Sequence, residues 1–175
     1  MLIAETERLA VRPFEPGDCD FIIRLLNDPS FIENIADKGV RTREQAAAYL
    51  ADGPLRSYRD HGHGLYLVAL KASGAPIGMC GLLRRDSLAH PDLGYAFLPE
   101  FCGRGYAFEA GAAVLAYGRE VLGMGEILAI VKPGNARSAA LLDRLGFARA
   151  GTVAMAHDPE PLDLFVSRPA AAAAG

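Results

Sequence analysis

The stretch Leu98-Pro-Glu-Phe-Cys-Gly-Arg-Gly-Tyr-Ala-Phe-Glu-Ala-Gly111 decides the fold, because it joins a predicted strand to a predicted long helix. The apolar run at 93–98 is typical of a strand, and Pro99 ends it because proline cannot donate a hydrogen bond to a neighbouring strand. Gly103 and Gly105 permit a tight turn with backbone torsions that most residues avoid. Residues 107–122 then predict a helix with almost no polar interruption.

Such a turn presents bare backbone N–H groups at the amino end of a helix, a position that binds phosphate readily. Arg104 adds a cation that can reach an anionic oxygen. A nucleoside triphosphate loop is disfavoured because no Gly-Lys-Ser/Thr follows the glycines, and a dinucleotide fold is disfavoured by the missing third glycine. A glycine-rich turn that binds nothing stays open as an alternative.

The same stretch resembles motif A of the GNAT acetyltransferase superfamily, Gln/Arg-x-x-Gly-x-Gly/Ala, and is most similar to the ribosomal-protein alanine N-acetyltransferase branch. Cys102, Gly105 and Ala107 fall on the three defined positions, and the Cys102 side chain departs from the pattern. The resemblance implies acetyl-CoA as cosubstrate, with its pyrophosphate held by residues of the turn: Cys102, Gly103, Arg104, Gly105, Tyr106 and Ala107. It also implies that the backbone of Phe97 and Leu98 pairs with the pantetheine amides like an added strand.

A second block, Asn135-Ala-Arg-Ser-Ala-Ala-Leu-Leu-Asp-Arg-Leu-Gly-Phe147, predicts a helix that Asn135 caps and Gly146 ends. The block is similar to the superfamily's other cofactor motif, Asn-x-x-Ser...Leu-x-x-x-Gly-Phe. This resemblance implies that Asn135 contacts the pantetheine arm and that Ser138 lies near the thioester sulfur. An ordinary capped helix is the alternative when the block is taken alone.

The implied reaction is direct attack of a neutral amine on the acetyl thioester, which requires a base for the ammonium proton and a donor for the departing thiolate. Many superfamily members place a tyrosine four residues after the motif's Ser or Ala, but Leu142 stands there in this chain. The resemblance to the ribosomal-protein branch implies that Ser138 is the acid instead, with a helix-capping or solvent-facing serine as the alternative. Glu100, Asp92 and His90 are the candidate bases, each expected beside the acceptor-side end of the cofactor strand, with plain surface charges as the alternative.

The remaining patterns predict an α/β fold with a mixed, mostly antiparallel sheet. Strands are predicted near 8–14, 65–71, 76–84, 92–98, 126–131, 147–153 and 162–167. A helix is predicted over 19–27, ended by Asp28-Pro29, and a capping box at Thr42-Arg-Glu-Gln45 starts another that runs to about Leu55. Residues 30–41 have no clear period and are predicted to form an acceptor-facing loop.

The resemblance implies a single GNAT domain over residues 1–169, with helices flanking the sheet and the cofactor in a cleft between the two central parallel strands. Residues 170–175 are of low complexity and are expected to be disordered. The chain of 175 residues suits one domain, and 51% hydrophobic residues exclude general disorder. The sequence leaves monomer and homodimer open.

Composition limits the partners and the compartment. A net charge of −3 without a basic block makes nucleic acid an unexpected partner, and no apolar run approaches the roughly 20 residues of a membrane helix. Three cysteines, an odd number without metal-ligand spacing, predict a reducing cytoplasm and no metal site.

The sequence therefore predicts an acetyl-CoA-dependent N-acetyltransferase acting on a primary amine, with a non-catalytic acyl-CoA binder and a plain interaction domain as competing classes. The acceptor is open: a protein N-terminus, a polyamine or aminoglycoside-like amine, or an amino acid derivative. The segment joining the last two strands carries Asp158, Glu160 and Asp163 without Lys or Arg, which predicts a cationic acceptor. Two histidines in a glycine-flanked loop, His61 and His63, are not predicted to take part.

Overall fold

In residues 1–169, eight strands form one sheet in the order β1–β2–β3–β4–β5–β6–β8–β7. The computed structural model describes residues 1–169, so the predicted disordered tail at 170–175 lies outside the described residues. The strands are β1 Ala4–Glu5, β2 Leu9–Pro13, β3 Leu65–Leu70, β4 Pro76–Leu83, β5 Asp92–Phe97, β6 Ile127–Val131, β7 Ala148–Val153 and β8 Leu162–Ser167. Neighbouring strands are antiparallel except β5 and β6, which confirms the predicted mixed, mostly antiparallel sheet.

The described part of the chain has six α-helices that cover the sheet: α1 Cys19–Leu26, α2 Pro29–Asn34, α3 Arg43–Leu50, α4 Arg56–His61, α5 Tyr106–Glu120 and α6 Ala136–Arg144. The predicted capping box is present, since the Gln45 amide donates to Thr42 Oγ1 at 3.1 Å and the Thr42 amide donates to Gln45 Oε1 at 3.2 Å. The helix that it starts does not end near Leu55. A π-helical segment, Ala51–Leu55, carries it into α4, so the helical run reaches His61.

The predicted loop at 30–41 is wrong in its first part. Asp28 caps α2 by accepting a hydrogen bond from the Ser30 amide at 3.0 Å, and Pro29 occupies the first helical position, where its missing N–H costs nothing. Only Phe31 of this short helix is buried. Six residues with one buried side chain leave no apolar period to read in the sequence.

Two apolar cores lie against the sheet. One contains residues of α5 and α6 with side chains of β4, β5 and β6, and the other contains α1 and α3 with the opposite side chains of β3 and β4. The alternation of β5 is visible in this division, because Leu93, Tyr95 and Phe97 belong to the first core and Ala96 and Leu98 to the second. Strand β5 is therefore covered on both faces.

The two parallel strands separate shortly after they meet. Asp92 of β5 pairs with Leu128 of β6, whose amide donates to the Pro91 carbonyl at 2.8 Å, and this is the single register pair between the two strands in the described chain. Strand β5 has six register pairs with β4 on its other side. The strands thus diverge beyond Asp92 and open a cleft in the middle of the sheet.

Three free thiols are present: Cys19 and Cys80 are buried and Cys102 is partly buried. Within residues 1–169 no helix is long and apolar enough to cross a bilayer.

Candidate active site

The glycine-rich turn lies where the cleft meets the amino end of α5. A 3₁₀ turn, Pro99–Phe101, follows β5, and Gly103 and Gly105 then adopt φ values of 76° and 83°. Only glycine takes this left-handed conformation without strain, so both positions require it. Gly105 is the N-cap residue of α5, and the unpaired amides of the first helical turn follow it.

Two arginines from distant parts of the chain flank this turn. The Arg8 guanidinium lies 4.3 Å from the centre of the Tyr106 ring, donates to the Arg104 carbonyl at 3.0 Å and forms an ion pair with Glu109 at 3.3 Å. A Cβ atom added to Gly105 would lie 3.3 Å from Arg8 Nη2. Likewise, a Cβ atom on Gly103 would lie 3.6 Å from Arg137 Nη2. Each glycine of the turn therefore has a guanidinium group close to its open side, and bare amides with cations beside them fit a diphosphate.

The sequence analysis missed Arg8 and Arg137. Arg137 belongs to the second motif block, so its place beside the turn could have been inferred from the pairing of the two blocks. Arg8 is near the start of the chain and reaches the turn only because β2 and α5 pack together. No local signal in the sequence reveals that contact.

The backbone of β5 supplies only part of the predicted cofactor edge. The Leu98 amide donates to the Ile77 carbonyl at 2.9 Å and the Leu98 carbonyl accepts from the Phe101 amide at 3.0 Å, so Leu98 has no backbone group free for pantetheine. Because peptide groups along a strand point alternately to its two neighbours, Phe97 and Tyr95 direct theirs towards the cleft. The prediction for Phe97 is thus compatible with this geometry and stays a prediction, whereas the backbone groups of Leu98 are engaged and the next cleft-facing peptide groups are those of Tyr95.

The Cys102 thiol points back to the strand, with Sγ 3.6 Å from the Leu98 carbonyl oxygen. Its side chain therefore does not compete for the volume in front of the turn.

Ser138 and Tyr95 form a pair of hydroxyl groups in the cleft. Ser138 is in the first turn of α6, where Asn135 Oδ1 accepts a hydrogen bond from the Ser138 amide at 3.2 Å. The Ser138 hydroxyl is hydrogen-bonded to the hydroxyl of Tyr95 on β5. The Asn135 carboxamide oxygen is thus engaged in capping the helix, which leaves its NH₂ group for a ligand. The serine is neither solvent-facing nor the capping residue itself.

Burial keeps the Tyr95 phenol protonated. It raises the pKa of Tyr95 to about 12, with the hydrogen bond to Ser138 acting in the opposite direction. A neutral phenol next to a serine hydroxyl is a proton donor over the whole physiological range. Tyr95 is the main site residue that the sequence analysis missed, because a tyrosine inside an apolar strand gives the same signal as any core residue.

The three candidate bases do not share one end of the strand. Asp92 and His90 lie at the start of β5, whereas Glu100 follows its end and forms an exposed ion pair with Arg24. His90 Nε2 lies 3.1 Å from a carboxylate oxygen of Glu126, away from the cleft. The expectation that all three stand at the acceptor side is therefore wrong for Glu100.

Asp92 is 1% exposed and accepts two hydrogen bonds from Nε of Arg85, at 3.1 and 3.2 Å. Burial raises its pKa, and the charge of Arg85 and the hydrogen bonds from it oppose that shift. A carboxylate held in this way positions Arg85 and has no open path to an incoming amine. The structure thus favours a supporting role for Asp92 over the role of general base.

A pocket of about 650 Å³ opens between the sheet and the helical run of α3 and α4, with Tyr95 and Gly94 among its lining residues. The π-helical segment contributes Asp52, Gly53 and Pro54 to its wall; such segments are common at functional sites because they re-aim side chains within a helix. His61, which was set aside in the sequence analysis, also lines this pocket.

The neighbouring His63 has a structural role. It is buried, and its Nδ1 lies 2.7 Å from the Leu82 carbonyl oxygen.

The acidic segment between β7 and β8 does not line the pocket. Asp163 is held by Arg149 at 2.8 Å, and Glu160 is exposed. Asp158 acts electrostatically on Lys38, which does line the pocket. The loop thus comes close enough to the pocket for Asp158 to act on the charge of Lys38.

The family profile described as an acetyltransferase (GNAT) domain matches residues 8–148 of this chain. The chain belongs to the GNAT acetyltransferase family, and the structural resemblances agree with this assignment.

An uncharacterized N-acetyltransferase of Bacillus subtilis, YnaD, is 27% identical over 146 residues, which cover 83% of this chain and 82% of YnaD. The crystal structure of an acetyltransferase from Agrobacterium tumefaciens is similar with a TM-score of 0.75 and 26% identity, covering 94% of this chain and 93% of that one. RimL, a ribosomal-protein alpha-N-acetyltransferase in complex with coenzyme A, has the same fold with a TM-score of 0.83 at 15% identity, covering 96% and 98% of the two chains.

Proposed function

We propose that this chain transfers the acetyl group of acetyl-CoA to a primary amine. The observation that carries the proposal is the Tyr95–Ser138 hydroxyl pair, placed in a cleft that ends at the glycine-rich turn of Gly103 and Gly105. Membership of the GNAT family supports the general activity. The spacing of turn, strand edge and hydroxyl pair along β5 matches what a long, anionic thioester needs: charge recognition at one end and proton donation at the other.

The residues of the turn would hold the cosubstrate by its phosphates. The amides that follow Gly105 face this volume, and Arg8 and Arg137 supply positive charge beside it. The cleft-facing peptide groups of Phe97 and Tyr95 would pair with the amides of the pantetheine arm, and the free NH₂ of Asn135 is a further donor. When bound, acetyl-CoA supplies an activated acetyl thioester.

Proton transfer is the task of the hydroxyl pair. Expulsion of a thiolate is easier when a neutral donor lies beside the sulfur, and Ser138 would donate while Tyr95 replaces its proton. The raised pKa of Tyr95, about 12, keeps this pair fully protonated at neutral pH. The acceptor would approach through the pocket that meets the cleft at Tyr95 and would lose its ammonium proton to water before it attacks the acetyl carbon. The second amine proton, released as the amide forms, would replace the one that the Tyr95–Ser138 pair gives to the departing sulfur.

Binding and turnover test this proposal separately. Acetyl-CoA at about a hundred times its dissociation constant should stabilise the fold by roughly 2.7 kcal/mol, which shifts the melting temperature by several degrees. An amine panel assayed for free thiol should then show release of CoA with at least one acceptor. An unchanged melting curve in millimolar acetyl-CoA contradicts the proposal, and stabilisation without thiol release from any amine favours the non-catalytic acyl-CoA binder.

A further inference from the structure

The charged residues of the pocket beside Tyr95 form two groups. Lys38, Arg84 and Arg85 lie on the connections that follow α2 and β4, and we call them the cationic rim. Asp52, Asp60 and Asp86 are the acidic residues of the lining. With Arg56, which also lines the pocket, the lining has four cations to three carboxylates and is not the anionic surface that a polycationic acceptor requires.

Two pairs within or behind this lining neutralise part of the charge. Asp60 is bound by Arg56 at 3.2 Å, and Arg85 is bound by the buried Asp92 at 3.1 Å. Among residues 1–169, Lys38, Arg84, Asp52 and Asp86 form no ion pair. Two cations and two carboxylates therefore stay available to a ligand.

Lys38 in particular is only partly compensated, by the charge of Asp158. Its pKa is lowered, first because the surroundings of its ammonium group reduce its contact with water and second because the charge of Arg85 is close, whereas Asp158 acts in the opposite direction. A ligand carboxylate beside Lys38, on the rim that Arg84 also lines, would offset this repulsion. The same carboxylate would gain charge-assisted hydrogen bonds, which are stronger than those between neutral groups.

The body of the pocket is apolar. Phe31, Ile35, Leu65, Met79 and Leu83 contribute to its lining. An acceptor made only of charged and polar groups would leave this surface uncovered, whereas an aliphatic or aromatic side chain would bury it and be stabilised by the hydrophobic effect.

From this distribution of charge we infer that the acetyl acceptor is a small amine that also carries a carboxylate and an apolar body, that is, an apolar α-amino acid or a close derivative. The carboxylate lies against the cationic rim, the ammonium group is attracted by Asp52 before it loses its proton, and the apolar side chain fills the pocket. The inference rests on the proposed acetyl transfer and assigns its substrate class. It replaces the cationic acceptor predicted from the acids between β7 and β8, since those residues do not line the pocket.

Matched acceptors test the requirement for the carboxylate. L-leucine, L-leucinamide and spermidine are assayed for acetyl-CoA-dependent thiol release, and kcat/KM is compared. We expect L-leucine to exceed leucinamide by about tenfold, as one charge-assisted contact would give. The amine of leucinamide loses its proton at lower pH than the amine of leucine, so more of it is in the reactive neutral form. This difference favours leucinamide, and a preference for leucine would therefore not be caused by amine reactivity.

A variant without two charges of the cationic rim tests whether these residues bind the carboxylate. In the double variant Lys38→Gln/Arg84→Gln, the leucine-to-leucinamide ratio of kcat/KM should fall close to one, while the melting shift caused by acetyl-CoA is unchanged. The matched control is Arg43→Gln/Arg149→Gln, which removes the same charge from exposed positions outside the pocket and should keep the ratio.

The outcomes separate the two levels of proposal. A preference for spermidine or leucinamide over leucine in the parent protein, or a ratio that survives in the rim variant, overturns the inference and leaves acetyl transfer standing. Absence of thiol release with every amine overturns both.

Discussion

The hydroxyl of Tyr95 on β5 is hydrogen-bonded to the hydroxyl of Ser138 on α6, although 43 residues separate them in the chain. The contact spans the cleft that opens because β5 and β6 share one register pair and then diverge. It joins the strand that would hold the pantetheine arm to the helix that would face the sulfur. The proposed chemistry depends on this pair acting as a unit.

A double-mutant cycle tests that dependence. Tyr95→Phe and Ser138→Ala should each lower kcat, by up to about a hundredfold if proton donation limits turnover, with little effect on acetyl-CoA affinity. The double variant should be scarcely worse than the poorer single variant, because either change breaks the same donor chain. Additive losses would show that the two hydroxyls act independently, and an unchanged kcat in Ser138→Ala would return Ser138 to a structural role.

The pH dependence of turnover follows from the protonation of Tyr95. With its pKa raised to about 12, the phenol stays a donor from neutral pH up to about pH 11. Deprotonation of Tyr95 should therefore not lower kcat at saturating substrates below about pH 10. Any decline of kcat in that range should be the same in the parent protein and in Tyr95→Phe. A descending limb near pH 8 that is absent from Tyr95→Phe would contradict the protonation state assigned here.

A comparison of two glycines with the same backbone conformation separates an effect on cofactor binding from an effect of backbone strain. Gly105 and Gly123 have φ values of 83° and 68°, but a Cβ atom would meet Arg8 Nη2 at 3.3 Å only at Gly105, and nothing within 4 Å at Gly123. Replacement by alanine should cost each variant about 1–2 kcal/mol of folding stability. Gly105→Ala alone should reduce the stabilisation by acetyl-CoA in thermal melts. Equal ligand shifts in both variants would place the phosphate site elsewhere.

Asp92 has a testable effect on stability. Burial raises its pKa in the folded chain, so it stabilises the fold fully below its unfolded pKa of about 4, and this contribution is lost as the pH rises through the folded pKa. In Asp92→Asn the free energy of unfolding, measured by urea titration between pH 4 and 7, should lack this decline. Asp143→Asn, at an exposed position on α6, serves as the control and should follow the parent. A decline that persists in Asp92→Asn would mean that another group causes it.

Local signals in the sequence were enough for most of the fold. The capping box at Thr42, the cap at Asn135 and the hairpin of β3 and β4 all depend on neighbouring residues, and all are present. Helix α2 was missed because Asp28-Pro29 was interpreted as the end of one helix, although the same pair is also a good beginning.

The site was less accessible to prediction, because its geometry depends on contacts between distant segments. Whether Asp92 is a free base or a buried partner of Arg85 depends on how β4 and β5 pair. The Tyr95 hydroxyl can be recognised as part of the site only from the packing of α6 over the cleft, which brings Ser138 to it. Charge patterns misled for a similar reason: Asp158, Glu160 and Asp163 are close together in sequence, but Asp163 is in β8 and is bound by Arg149, and Glu160 is exposed.

Replacing Asp158 distinguishes a carboxylate-bearing acceptor from a cationic one, because the two hypotheses predict opposite changes in KM. Its charge acts on Lys38 and partly compensates that cation, so Asp158→Asn should strengthen the cationic rim and lower KM for a carboxylate-bearing amine such as L-leucine. Glu160→Gln, which removes an equal charge from an exposed position of the same loop, is the matched control and should have little effect. The difference between the variants should shrink at high salt, since ions screen interactions between exposed charges. If Asp158→Asn instead raises KM for its best acceptor, and does so most strongly at low ionic strength, the loop attracts a cationic amine and the acceptor inferred from the pocket is wrong.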